Sequence, residues 1–188
     1  MDFYSVQIPE EIAEQVDVRP PPLMVTDDMK RTLYYLATWR EWREVVEKCE
    51  RWPFILCEKI TGSQETIFHM AVGDEQPWIL EELVEMVSDG KMLEIADEKG
   101  NTPLHLAASM GKTRMANCLV SKHRELIKIC NKDNQTPLFV AAVSGNKNTF
   151  LYLLAQCSHG FEDIAYWRGK GGNSILHAAI SEEYFGII

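Results

Sequence analysis

Three of the five histidines in this 188-residue chain stand in one slot of a recurring phrase, and a repeated imidazole raises the question of a general base or a metal ligand. His69, His105 and His177 each follow a Thr or Ser by three residues (Thr66, Thr102 and Ser174). In the copy that begins at Thr136 the slot holds Phe139. A phenyl ring carries no proton and ligates no metal, so the slot reads as a structural hydrogen-bonder reaching neighbouring backbone or the capping hydroxyl. The five cysteines, Cys49, Cys57, Cys118, Cys130 and Cys157, are an odd number with no zinc spacing, and read as small core residues of a reducing compartment. Gly111-Lys112-Thr113 looks like the end of a phosphate loop, but that motif needs a glycine where Leu106 stands. Asp97 and Asp133 do not fit a calcium loop, and Glu81-Glu82-Leu83-Val84-Glu85 reads as a helix with a solvated face. No H-E-x-x-H, G-x-S-x-G or paired Cys/His arrangement occurs. These residues assign no catalytic site, no metal and no cofactor.

The phrase itself positions the histidines. Its clearest copies are Thr102-Pro103-Leu104-His105-Leu106-Ala107-Ala108 and Thr136-Pro137-Leu138-Phe139-Val140-Ala141-Ala142. Worn copies begin at Thr66 and at Ser174 (Ser174-Ile175-Leu176-His177), and a fainter one at Thr32. Successive Thr or Ser positions lie 34, 36, 34 and 38 residues apart. A period of this size predicts stacked repeats rather than one closed globule, and stacked repeats point to binding before catalysis. Thr or Ser suits a helix N-cap, Pro103 and Pro137 suit the first helical position, and Leu with paired Ala gives a narrow face for a close neighbour. Gly111 and Gly145 fall nine residues after the Thr, where the chain must turn into a second helix. Met115, Ala116, Leu119 and Val120 supply that helix's buried stripe, as do Thr149, Phe150, Leu153 and Leu154, and earlier Ile79, Leu80, Leu83 and Val84. Cys118 is placed on the same stripe. Trp39, Trp42, Trp52, Trp78 and Trp167 lie near turns and are expected in core or capping roles.

These residues resemble the ankyrin repeat, whose helix-turn-helix units carry T-P-L-H-x-A at a period of about 33. Asp97-x-x-Gly100-x-Thr102 matches that family's hairpin turn before the helix, and Asn131-Lys132-Asp133-Asn134 and Gly169-Lys170-Gly171-Gly172 are turn-prone in the same place. The resemblance implies an all-α solenoid of four to five repeats joined by short hairpin turns, with an incomplete C-terminal repeat. Residues 1–27 read as an arm containing Val18-Arg19-Pro20-Pro21-Pro22, and 28–188 as the array, in repeats 28–60, 61–96, 97–130, 131–168 and a partial 169–188. The 36- and 38-residue intervals imply insertions, one near Asp74–Gln76 or Ser88–Lys91 and one near Ser158–Phe161.

The texture of Leu36 to Trp42, of Cys57 to Thr61, and of Gly172 to Ile180 is similar to plant ankyrin-repeat proteins that end in a membrane region, the PGG domain. That resemblance implies stress or defence signalling and attachment at the cytoplasmic face of a membrane. This chain has no apolar run of 18 residues, so no membrane-spanning segment is expected in it. The formal charge of −9 argues against nucleic acid, which needs a basic footprint. The N-terminus lacks the pattern of a signal peptide, so a cytoplasmic location is expected. Tyr184, Phe185, Ile187 and Ile188 would leave an apolar, uncapped end, with end-to-end self-association as its consequence.

Ankyrin repeats bind protein through their finger tips and the concave face of their first helices. Carried to this chain, those positions are Glu98, Lys99, Asn101, Ser109 and Met110 in one repeat, Lys132, Asp133, Gln135, Val143 and Ser144 in the next, and Lys170 and Asn173 in the last. Met110 and Val143 are the candidate apolar anchors. The expected function is a non-catalytic protein-interaction module, an adaptor or scaffold. A second reading makes the array the cytosolic regulatory part of a membrane-anchored ankyrin protein whose membrane region is missing from this chain.

Overall fold

The computed structural model describes residues 26–157. Ser174, Leu176, His177, Lys170, Asn173, Trp167 and the apolar C-terminus lie outside the described residues, as does the arm before Thr26. Eight α-helices follow in pairs: α1 (Asp27–Thr38) with α2 (Trp42–Arg51), α3 (Ile67–Gly73) with α4 (Pro77–Glu85), α5 (Pro103–Ser109) with α6 (Thr113–Lys122), and α7 (Pro137–Val143) with α8 (Lys147–Gln156). Single 3-10 turns at Pro53–Cys57, Gly90–Glu94 and Arg124–Lys128 close the first three pairs, and no strand occurs among the described residues. First helices pack on first helices and second helices on second helices, giving two layers with each pair antiparallel across them. The fold is an all-helical repeat solenoid.

The local cause of each first helix is its cap. Thr66 and Thr102 have extended backbone, and their hydroxyls accept from the amide three residues on. His69 and His105 answer, taking the N–H of Thr66 and Thr102 on Nδ1 at 3.2 and 3.1 Å. Two orphan donors are thereby satisfied reciprocally, in a box where His stands for the usual Glu. Pro103 and Pro137 open their helices without the loss of a bond. Leu104, Ala107, Ala108, Leu138, Ala141 and Ala142 are buried, so the small residues do bring neighbouring helices together. From the second helices, Met115, Ala116, Leu119 and Val120 fill the space between the layers.

Turns between paired helices require left-handed backbone. Gly111 (φ 69°) and Gly145 (φ 78°) supply it, but Arg40 (φ 65°) and Glu75 (φ 57°) hold the same place in the first two pairs. That register corrects the first phrase. Thr32 is not an N-cap: it lies inside α1, its hydroxyl donating to the Asp28 carbonyl at 2.8 Å, and Thr26 caps the helix instead. Thr32 lacks a following Pro because Leu33 is in mid-helix. The two-residue insertion also resolves. Pro77 and Thr113 stand at equal distances from Thr66 and Thr102, whereas the following 3-10 turn starts two residues later in the earlier repeat. The extra length is therefore in the Ser88–Lys91 loop rather than near Asp74.

Two side-chain expectations fail. Trp78 is 66% exposed, outside the core and at no cap position, while Trp39, itself 69% exposed, is the C-cap of α1, and Trp42 is buried and donates to Asp74 at 2.7 Å. Trp78 cannot turn inward because its neighbour Ile79 and the buried Leu80 already occupy that side of α4; the Arg114 guanidinium covers its ring at 3.7 Å. Cys118 is only half-buried, on the outer side of α6 beside a shallow groove of about 410 Å³ between α4 and α6.

Candidate protein-interaction surface

The fingers are built by backbone and held by Asn or Asp. Asp97 N–H donates to the Asn101 carbonyl at 2.9 Å, and Asn131 N–H to the Gln135 carbonyl at the same distance. The Asp97 carboxylate accepts from the amides of Lys99 and Asn101, each at 2.8 Å. The Asn131 side chain does the same for Asp133 and Gln135 at 3.0 Å. Gly100 and Asn134 take the left-handed position that closes each finger. An earlier finger at 60–65, unread in the sequence, is closed by Ile60 N–H to Glu65 carbonyl at 2.7 Å, with Gln64 left-handed. The fingers join in a row: Glu98 N–H donates to Ser63 carbonyl and Lys132 N–H to Lys99 carbonyl, at 2.9 and 3.0 Å.

Behind this row the histidines tie each helix pair to the next finger. Nδ1 of His69 and His105 accepts, so Nε2 carries the proton and donates to the carbonyls of Asn101 and Gln135 at 2.9 and 3.0 Å. Both rings are 1% exposed. Burial lowers the basicity of His69 and pushes His105 down to about 4, keeping both neutral and fit for this bridging role. Burial likewise pushes Cys118 up to about 11, far from the thiolate that nucleophilic chemistry needs. Among the described residues no group of three His, Cys, Asp or Glu side chains could hold a metal ion.

The candidate contact residues divide accordingly. Glu98, Lys99, Lys132 and Asp133 are exposed at the finger tips. Asn101 and Gln135 sit there half-buried and committed to the joint: each gives its carbonyl to a histidine, and both receive the Asn131 amide, at 2.9 and 3.3 Å. Ser109 donates to the Leu106 carbonyl at 2.9 Å, and Met110 packs half-buried against the core beside it. Val143 (42% exposed) and Ser144 are open on the corresponding stretch of α7.

Sequence reading passed over a further column. Met70, Leu106 and Val140, four residues after each capping Thr, are apolar and half-buried on successive first helices. Tyr35 holds the same place on α1, five residues before the left-handed turn residue, and is 45% exposed. The signal was present as an apolar column at a fixed offset in the phrase, but a residue that is part core and part surface looks like core in a sequence.

The geometry of stacked helix pairs, capping boxes and finger turns defines one class of protein, and comparison gives the same answer. Residues 68–166, more than half of the chain, match the family model for ankyrin repeats in three copies, and the chain belongs to the ankyrin-repeat family. Such arrays are protein–protein interaction modules. The chain is similar to alpha-latrotoxin-Lhe1a of Latrodectus hesperus, 31% identical over 61% of this chain and 8% of the toxin. It is 30% identical to the probable 26S proteasome regulatory subunit p28 of Saccharomyces cerevisiae over 51% of this chain and 41% of that one. It is 28% identical to the nuclear factor NF-kappa-B p105 subunit of Gallus gallus over 85% of this chain and 16% of that one. The chain therefore spans less than half the length of each of these relatives. Among the described residues no helix is long and apolar enough to cross a membrane.

Proposed function

We propose that the array is a non-catalytic adaptor that grips a protein partner across its first-helix layer, with Met110 and Val143 as apolar anchors and the exposed finger residues Glu98, Lys99, Lys132 and Asp133 setting register. One observation carries this reading. Met70, Leu106 and Val140 form an apolar row on the first helices, and Met110 and the exposed Val143 continue it at the C-terminal ends of α5 and α7, with the polar fingers leading into the opposite ends. An apolar centre with a polar rim is the anatomy of a binding patch. Lys170 and Asn173 extend the finger series in sequence. Affinity capture with the wild-type chain and with Met110→Glu/Val143→Glu tests the reading. Partners should be lost selectively from the variant while it stays folded at the assay temperature; equal recovery with both chains would sink the concave-face assignment.

The second reading, a cytosolic regulatory part of a membrane-anchored plant protein in stress or defence signalling, is favoured by the resemblance of the Leu36–Trp42 and Gly172–Ile180 segments to that group. Fractionation of expressing cells separates the two: recovery of the whole protein with membranes favours the second, recovery in the soluble phase the adaptor.

A further inference from the structure

Six large apolar side chains are exposed among the described residues, and three of them, Tyr34, Tyr35 and Trp39, share α1 and its cap. Tyr35 stacks on Trp39 with ring centroids 5.6 Å apart and planes at 24°, and Tyr34 meets Tyr35 edge-on at 5.7 Å. The contacts of α1 with the core come instead from Met29, Leu33, Leu36 and Ala37. Register shows what this aromatic ridge is continuous with. Tyr35 precedes the left-handed turn residue Arg40 by five residues, as Met70, Leu106 and Val140 precede Glu75, Gly111 and Gly145. Trp39 is the C-cap of its helix, as Met110 is of α5. The ridge is therefore the α1 end of the apolar row on the first helices, with Trp39 its most exposed member.

The rings offer flat apolar faces edged with hydrogen-bond donors. Among the described residues nothing accepts from the Tyr34 or Tyr35 hydroxyl or from the Trp39 indole N–H, although Tyr34 stands in the slot from which His69 and His105 hold the next finger. The cations that flank the rings are already paired, Arg31 with Asp28 at 3.2 Å and Arg40 with Asp74 at 2.7 Å. A complementary occupant is thus uncharged, apolar and rich in free acceptors. Spacing narrows it further. First helices packed side by side lie about 8–10 Å apart. A strand returns the same face about every 6.7 Å, out of step with that interval. An α-helix returns it after seven residues, about 10.5 Å, but has its carbonyls bonded internally. Polyproline returns it every third residue, about 9.3 Å, with every carbonyl free. The last of these meets both the spacing and the donors.

We propose that the occupant of this surface is an uncharged, proline-rich segment of the partner in extended polyproline geometry, anchored on Tyr34, Tyr35 and Trp39 and laying one apolar side chain on each first helix. This deepens, and rests on, the reading of the first-helix layer as a binding face. The probe is a fluorescently labelled (Leu-Pro-Pro)4 peptide, whose four leucines span about 28 Å against about 24–30 Å for four adjacent helices. Its anisotropy is titrated with the full chain. Binding should saturate, and Tyr35→Ala/Trp39→Ala should weaken it at least about ten-fold, as loss of aromatic anchors does. Tyr34→Phe/Tyr35→Phe keeps the rings, removes the hydroxyls and should weaken it about three-fold. A peptide of the same composition with its leucines clustered should bind several-fold more weakly. All these side chains are exposed, and circular dichroism checks that each variant keeps the array. Failure to saturate with the wild type, equal affinity for the clustered peptide, or undiminished binding by Tyr35→Ala/Trp39→Ala overturns the proposal. So does loss confined to Met110→Glu/Val143→Glu, which would keep the concave-face anchors and move the peptide off the ridge. If Met110→Glu/Val143→Glu loses no partner on capture while the ridge variant still loses the peptide, those anchors fail and the ridge dock stands.

Discussion

His105 spends both ring nitrogens, one on the Thr102 amide and one on the Gln135 carbonyl, and has no capacity left for a proton. That fixes the sign of a pH effect. The ordinary histidine value of 6.5 applies to the unfolded chain and about 4 to the folded one, so below pH 6.5 the unfolded state takes up the proton first. Stability contributed by neutral His105 is complete above pH 6.5 and is lost as pH falls toward 4, about 2 kcal/mol of it by pH 5. His69, lowered by burial too, acts in the same direction. Urea unfolding at pH 7 and pH 5 should show the wild type weakening by more than His105→Phe. That variant should start about 1–3 kcal/mol lower at pH 7, because it leaves a buried amide and a carbonyl without their partner. The structural use of this slot was legible in the sequence, since Phe139 fills it once. The commitment of Asn101 and Gln135 to the histidines was not legible: that part of their role depends on main-chain carbonyls, which carry no mark in the side-chain alphabet.

Helix-to-helix turns within each pair repeat one backbone demand and meet it unequally. Gly111 occupies the left-handed region freely, and a Cβ there would also lie 2.6 Å from the Asn146 side-chain oxygen. That asparagine holds the Ala108 and Ser109 carbonyls at the end of α5, at 2.9 and 2.7 Å. Gly111→Ala should therefore cost about 1–3 kcal/mol, through strain and the displaced cap. Glu75 meets the same demand with a side chain. Its compensation is an ion pair with Lys112 at 2.7 Å, in which its own side chain is 58% exposed and gains little. Glu75→Gly should raise stability by about 0.5–1 kcal/mol despite the lost pair, as read by thermal unfolding of both variants. Gly111 and Gly145 announced their turns in the sequence. Arg40 and Glu75 did not, because a non-glycine in left-handed backbone is tolerated when both flanking helices are fixed by packing. The one-residue shift of the first repeat was hidden with them.

Two layers of helices, each touching only its neighbours, make the molecule a chain of seams. Leu104 is fully buried where α5 meets the rest of the core, so Leu104→Ala should cost about 2–5 kcal/mol. The loss should be shared along the array rather than confined to α5, and circular dichroism and tryptophan emission should keep one common transition. Period and phrase made this architecture readable before any coordinates. Its outer surface was not readable, because surface residues answer to a partner that the fold does not need. The joints between pairs have a property of their own. His69 and His105 hold main-chain carbonyls, and consecutive fingers bond amide to carbonyl, so apart from the Asn131–Asn101 side-chain bond the joint does not draw on the side chains of the exposed tip residues Glu98, Lys99, Lys132 and Asp133. Glu98 and Lys99 stand where Lys132 and Asp133 stand one repeat later, and the bonding between fingers is the same. A lineage can therefore duplicate, delete or shuffle such units and rewrite their tips without reopening the terms on which the units adhere.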